Sequence, residues 1–267
     1  MTAPTVEAGG VELVYEERGE GQSAVFVHGT ATARTVWSET IDALDRLRDG
    51  MRAIAYDRRA YGESGAPEPY GGTTVGEQAD DLAELIERLD AAPAIACGHE
   101  LGALAVLDLA ARHASLVERI VVVEPPLLWL VADGTDAVAD LREAVARAAR
   151  AEGAAGAVRA YLEEVGGGDV GELLGPERAE ASLANPRAFA ADLAAAASWA
   201  AGRKELRALA VPCTIVVGTR GARVQQEAAR ALDEFLPDSR LVEVESGHFV
   251  HLERPDAVAA AVSGGGV

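Results

Sequence analysis

The sequence predicts an α/β protein with a mostly parallel sheet and helices on both of its faces. Two observations carry this. Short apolar runs occur without alternation, as in strands covered on both sides, and they alternate with longer stretches of helical spacing. A third observation sets the domain plan: between Leu127 and about Arg207 the alternation lapses and only helical patterns remain.

The elements follow in order. Residues 11–17 alternate apolar and polar and read as an early strand, and 23–28 form a continuous apolar run. Residues 36–48 have helical spacing, 52–57 read as a strand, and 75–89 form a helix with Leu82, Leu85, Ile86 and Leu89 on one face. A strand at 93–98 leads into a helix at 101–113, and a strand at 117–124 is closed by Pro125-Pro126. In the lapse, 137–151, 157–165 and 186–201 are helical, with breaks at Gly166-Gly167-Gly168 and Gly175-Pro176. The rhythm resumes with a strand at 213–217, a helix at 222–235, a strand at 240–245 and a short helix after Pro255. The glycine-rich tail at 263–267 is expected to fray. Residues 1–126 and 208–267 are thus read as one core domain, with 127–207 inserted as a helical cap. Ligands of such sheets bind beyond the carboxyl ends of the strands, so the cap is expected to act as a lid.

Composition narrows the function. The chain has 267 residues, 49% hydrophobic and 25% charged, with a formal net charge of −19. That mix suits a soluble globular protein, and the charge repels phosphate backbones and anionic lipid. A nucleic-acid or membrane partner is not expected. Cys97 and Cys213 make no disulfide framework and no metal spacing. No basic-then-apolar leader is visible at Met1-Thr2-Ala3-Pro4, and the apolar runs are shorter than a membrane span. A cytoplasmic protein without metal or cofactor is expected, with a small-molecule substrate; the oligomeric state is left open.

Four turns carry the chemistry. Val27-His28-Gly29-Thr30 follows the second predicted strand, and its glycine allows a sharp turn with N–H groups free to meet an oxyanion. Asp57-Arg58-Arg59-Ala60-Tyr61-Gly62-Glu63-Ser64 follows the third, Gly98-His99-Glu100-Leu101-Gly102 the fourth, and Gly247-His248-Phe249-Val250-His251 the last. Taken in this order, the four turns resemble the α/β-hydrolase superfamily over residues 11–262. The resemblance implies an eight-stranded sheet, a cap after the sixth strand, and a nucleophile–acid–histidine triad. It places the nucleophile on a strand-to-helix elbow. It also assigns the oxyanion hole to the amides of Leu101 and of the His-Gly loop, at Thr30.

The sequence departs from that pattern twice. Both elbow glycines are kept, but position 100 is Glu instead of Ser, and no carboxylate follows the 213–217 strand, where Gly218-Thr219-Arg220-Gly221 stands. His248 alone occupies its expected place. Glu124, at the end of the neighbouring strand, is a substitute acid that could hold the imidazole tautomer, or it only closes the strand. Glu100 lies at a helix N-terminus and is expected to pair with His248. It could be a nucleophile forming an ester that His248 helps to hydrolyse, a general base, an inert residue or an engineered replacement of serine. Its extra methylene displaces the carboxylate from the serine position, which favours proton transfer over covalent attack.

The remaining candidates are secondary. His28 is expected to support the oxyanion loop, and His99 to pack beneath the elbow or line the site. Trp37, Tyr61, Trp129, Trp199 and Phe249 are candidate pocket walls. Asp57 and Arg58 are expected to pair, and His113, His251 and Cys97 to be structural. Three functions remain open: hydrolysis of a small apolar ester, lactone or epoxide; a cofactor-free lyase, isomerase or cyclase; or an inactive binding protein.

Overall fold

The computed structural model describes residues 3–199 and 201–265. Eight strands form one sheet: β1 (Thr5–Ala8), β2 (Val11–Gly19), β3 (Gln22–Val27), β4 (Met51–Tyr56), β5 (Ala94–His99), β6 (Val117–Val123), β7 (Cys213–Gly218) and β8 (Ser239–Val244). Their order is β1-β2-β4-β3-β5-β6-β7-β8. The β1/β2 and β2/β4 pairs are antiparallel and the others parallel. The β1–β2 hairpin turns at Gly9-Gly10, both at positive φ (56° and 73°), which a two-residue hairpin loop requires. β1 is absent from the sequence reading, although Gly-Gly after Thr5-Val6-Glu7-Ala8 signals it.

Helices α1 (Ser38–Leu47), α2 (Val75–Arg88) and α3 (Leu101–Arg112) precede the cap. Successive side chains of a strand point to opposite faces, so the unbroken apolar run of β3 feeds two cores. Val25 and Val27 pack with Leu82, Leu85 and Leu104 of α2 and α3. Ala24 and Phe26 pack on the other face with Trp37, Ile41 and Leu44.

The cap comprises α4 (Gly134–Gly166), α5 (Val170–Leu174), α6 (Pro176–Leu183), α7 (Pro186–Ser198) and α8 (Arg203–Arg207). α4 is broken at Gly153 (φ 76°, ψ −165°), between the two helices that the sequence predicts there. The sequence pattern does not mark α5 and α6, each of which is too short for a clear period. α7 ends at Ser198, and Ala200, in the range expected to be helical, lies outside the described residues. A third core joins cap to sheet: Val158, Tyr161, Leu162, Leu174 and Phe189 of the cap enclose Ala31 and Phe249. The fold closes with α9 (Arg223–Phe235), α10 (Val250–Glu253) and α11 (Pro255–Ser263). Of the tail expected to fray, Gly266 and Val267 lie outside the described residues. No helix among the described residues is long and apolar enough to cross a membrane.

Candidate active site

The site is built where β3, β5, β6 and β8 end. Glu100 joins β5 to α3 at φ 51°, ψ −115°, and its N–H donates to the Val123 carbonyl at 3.0 Å. Such a conformation is costly for a residue with a Cβ and marks a built site. The turn closes because its flanks are glycines: a Cβ on Gly98 would strike the Gly102 carbonyl, and one on Gly102 the carbonyl of Val27. Glu124 has the same positive φ of 51° at the end of β6.

Glu124 and His248 meet. Glu124 Oε2 lies 3.3 Å from His248 Nδ1, and its Oε1 accepts the Gly218 N–H at 2.6 Å. Glu124 is buried and His248 nearly so. The strand end that lacks an acid therefore supplies an amide that fixes one borrowed from the neighbouring strand. With Nδ1–H directed at a carboxylate, the basic nitrogen of His248 is Nε2.

The expected Glu100–His248 pair is not formed; no hydrogen bond joins them among the described residues. Glu100 Oε2 instead accepts the Thr30 N–H at 2.7 Å, and Oε1 accepts the Tyr161 hydroxyl at 2.9 Å. The extra methylene carries the carboxylate to the loop after β3. Burial, then the adjacent Glu100 charge, push the Tyr161 pKa well above its ordinary value. Leu101 opens α3, so its N–H has no acceptor within the helix.

His28 and His99 are buried props. His28 Nε2 accepts the Arg58 N–H at 2.9 Å, and its Nδ1 lies 2.9 Å from the Gly29 carbonyl. His99 Nε2 donates to the His248 carbonyl at 3.2 Å, and its ring lies edge-on to that of His248, with centroids 4.8 Å apart. Burial is the main cause that holds both imidazoles well below their ordinary pKa. Phe249 is buried between the rings of His248 and His99, at 5.3 and 5.8 Å.

Among the described residues, neither Trp129 nor Trp199, both expected as pocket walls, makes a hydrogen bond or ring contact with Glu100, His248 or Tyr161. Trp129 is 42% exposed. The Trp199 indole N–H donates to Asp108 at 2.9 Å, two turns down α3 from the elbow. Both lie beside Pro- or Gly-marked chain reversals, where packing is not set by helical period. The Asp57–Arg58 pair is also replaced. Adjacent side chains at a strand end point opposite ways, so Asp57 takes the Arg34 side chain and backbone N–H, while Arg58 pairs with Asp192 of α7 at 2.6 Å.

The sequence reading missed Tyr161 and Asp192. The signal for Asp192 was present: it is the lone charge in the apolar stretch 188–199. Among the described residues, no group of three His, Cys, Asp or Glu side chains is placed to hold a metal.

His251 lies under the elbow, its ring 4.7 Å from that of Trp37 and 4.4 Å from that of His99. Neither ring nitrogen has a partner among the described residues. Burial first, then the nearby His248 and Arg178, lower its pKa to about 3. An unfolded histidine titrates near ~6.5. Between those values the unfolded chain holds the extra proton, so stability is present above pH ~6.5 and is lost on acidification. His251→Phe, which keeps the ring stacking, should flatten that dependence by about one proton, ~1.4 kcal/mol per pH unit. Urea titrations across this window measure it, and an unchanged slope would refute the neutral, buried His251.

An eight-stranded sheet bearing an elbow residue, an imidazole backed by a carboxylate and a helical cap defines the hydrolase class of α/β proteins. The sequence profile of the alpha/beta hydrolase family matches residues 24–261, and the chain belongs to that family. A 119-residue segment is 34% identical to a 2-(acetamidomethylene)succinate hydrolase of Mesorhizobium japonicum. The match spans 45% of this chain and 41% of that relative. An enol-lactonase from Burkholderia xenovorans LB400 superposes with a TM-score of 0.71 at 26% identity, over 98% of both chains. A thermophilic esterase from Thermogutta terrifontis shares the fold, with a TM-score of 0.80 at 24% identity, over 98% of this chain and 97% of that one.

Proposed function

We propose that the protein hydrolyses a small apolar substrate by attack at carbon. An epoxide fits best, with an ester or lactone opened at its alkyl carbon next. One observation carries this reading: Glu100 Oε2 occupies the Thr30 amide. Acyl transfer needs that donor for the substrate's own oxyanion. Hydrolysis of an ester on Glu100 instead develops its oxyanion on Oε2, already in place.

In the proposed first step Glu100 Oε1 attacks an epoxide carbon, the C–O bond breaks, and the ring oxygen takes the Tyr161 hydroxyl proton. Water then attacks the Glu100 ester carbon while His248 Nε2, backed by Glu124, takes its proton. The amides of Thr30 and Leu101 hold the oxyanion. Collapse expels the diol, which recovers the proton from imidazolium. The Glu100 carboxyl proton returns to the Tyr161 phenolate through the hydrogen bond they share. The sum is epoxide plus water giving diol, with no cofactor. Likeness to an enol-lactonase and, over part of the chain, to a 2-(acetamidomethylene)succinate hydrolase supports hydrolysis as the reaction type.

The Tyr161–Glu100 hydrogen bond also favours a second reading, in which the two act as acid and base in a cofactor-free lyase, isomerase or cyclase. A panel of aryl and alkyl epoxides set against p-nitrophenyl acyl esters tests the first. Epoxides should be turned over in preference, and Tyr161→Phe should slow their opening by ~10²–10⁴-fold. Turnover of the acyl esters alone would overturn the proposal.

A further inference from the structure

We propose that Asp192, on cap helix α7, is a positioning residue for the Thr30 amide, so that seating of the cap assembles the oxyanion-binding loop. The inference rests on the reading of that amide as the oxyanion donor. Gly29 C=O and Thr30 N–H belong to one planar trans peptide and point in opposite directions. Whatever holds the carbonyl therefore aims the N–H.

Arg58 holds it. Its Nη2 donates to the Gly29 carbonyl at 3.1 Å, and its Nε to the His28 carbonyl at 2.9 Å. A cation on the carbonyl also polarises the peptide and strengthens the donor at its other end. The guanidinium is set in turn by Asp192, whose oxygens accept from it at 3.1 and 2.6 Å. The Tyr61 hydroxyl donates to the same Asp192 carboxylate at 2.8 Å and accepts the Ala31 N–H at 3.2 Å. Two arms thus run from one cap carboxylate to both ends of the loop. Arg58 and Asp192 are fully buried. Burial works against the guanidinium's charge, but Asp192 overrides it and leaves its pKa raised.

A second cap-to-core ion pair provides a control. Arg178 of α6 binds both oxygens of Glu39 at 2.8 Å, and among the described residues neither side chain hydrogen-bonds to the 28–31 loop. The readout is the Thr30 amide proton in ¹⁵N-labelled protein without substrate. Bonded to a carboxylate, it should resonate far downfield and exchange slowly. Asp192→Asn should move it upfield and speed its exchange, and Arg178→Gln should leave it in place.

Asp192→Asn strands a buried cation and can unfold the chain. The double variant Arg58→Met, Asp192→Leu buries no charge. It should regain the wild-type melting temperature while the Thr30 resonance stays upfield. A role in cap stability alone predicts the opposite, with Thr30 returning along with stability. That outcome, or an equal shift in Arg178→Gln, would overturn the proposal. The measurement needs no turnover, so it tests the positioning of the Thr30 amide separately from the covalent mechanism.

Discussion

Replacing His248 by alanine is expected to stop turnover and leave the substrate bonded to the protein. In the proposed sequence His248 has no part in the first step, in which Glu100 attacks and Tyr161 supplies the proton. It is required for the second, where water must lose a proton to reach the ester carbon. A general base of this kind contributes ~10²–10⁴-fold, so the ester on Glu100 should outlive its formation and accumulate. Mass spectrometry of the peptide carrying Glu100 should then show the added mass of the substrate, in near-stoichiometric amount. The fold should survive, because His248 contributes one hydrogen bond to Glu124, and Glu124 keeps the Gly218 amide. Turnover at the wild-type rate would make His248 a bystander. Loss of activity without an adduct would remove the covalent step and leave proton transfer.

The outline of this site was legible in the sequence because strand ends and turns are local. Gly98 is required by the carbonyl of Gly102 within the same turn, whereas Gly102 is required by the Val27 carbonyl of the neighbouring strand. The acid role suggested for Glu124 drew on the strand order that the family resemblance implies, and the structure brings Glu124, at the end of β6, to His248 in the loop after β8. The sheet was readable because strands covered on both faces must be apolar throughout. What escaped reading lies outside the order of strands and turns, in rotamers and in the seating of the cap. Glu100 reaches Thr30 and Tyr161, which lie 70 and 61 residues away. Its partner is chosen by a rotamer that no sequence period encodes. Arg58 and Asp192 are 134 residues apart, and their pairing depends on how the cap seats on the sheet. The expectation of proton transfer rested on the displacement of the Glu100 carboxylate. The Glu100 carboxylate lies on the Thr30 amide, and under the proposed function that position favours covalent attack.

Glu100 itself gives the decisive experiment. Suppose a single turnover is run in ¹⁸O water. In covalent hydrolysis Oε1 becomes the bond to substrate carbon, and water attacks the carboxyl carbon. Collapse releases a product that carries Oε1, an oxygen from the protein, and leaves the water oxygen in Glu100. The product should therefore be unlabelled and the Glu100 peptide should carry one heavy oxygen. Direct attack of water on the substrate, assisted by Glu100 as a base, reverses this: label in the product and none in the protein. Glu100→Gln separates the remaining case. The amide oxygen can still accept the Thr30 N–H, so the loop and fold should be preserved. The amide is neither a carboxylate nucleophile nor a base at neutral pH, and activity should fall to background. Full activity in that variant would take Glu100 out of the chemistry. An unlabelled Glu100 beside a labelled product would replace covalent attack with general-base catalysis.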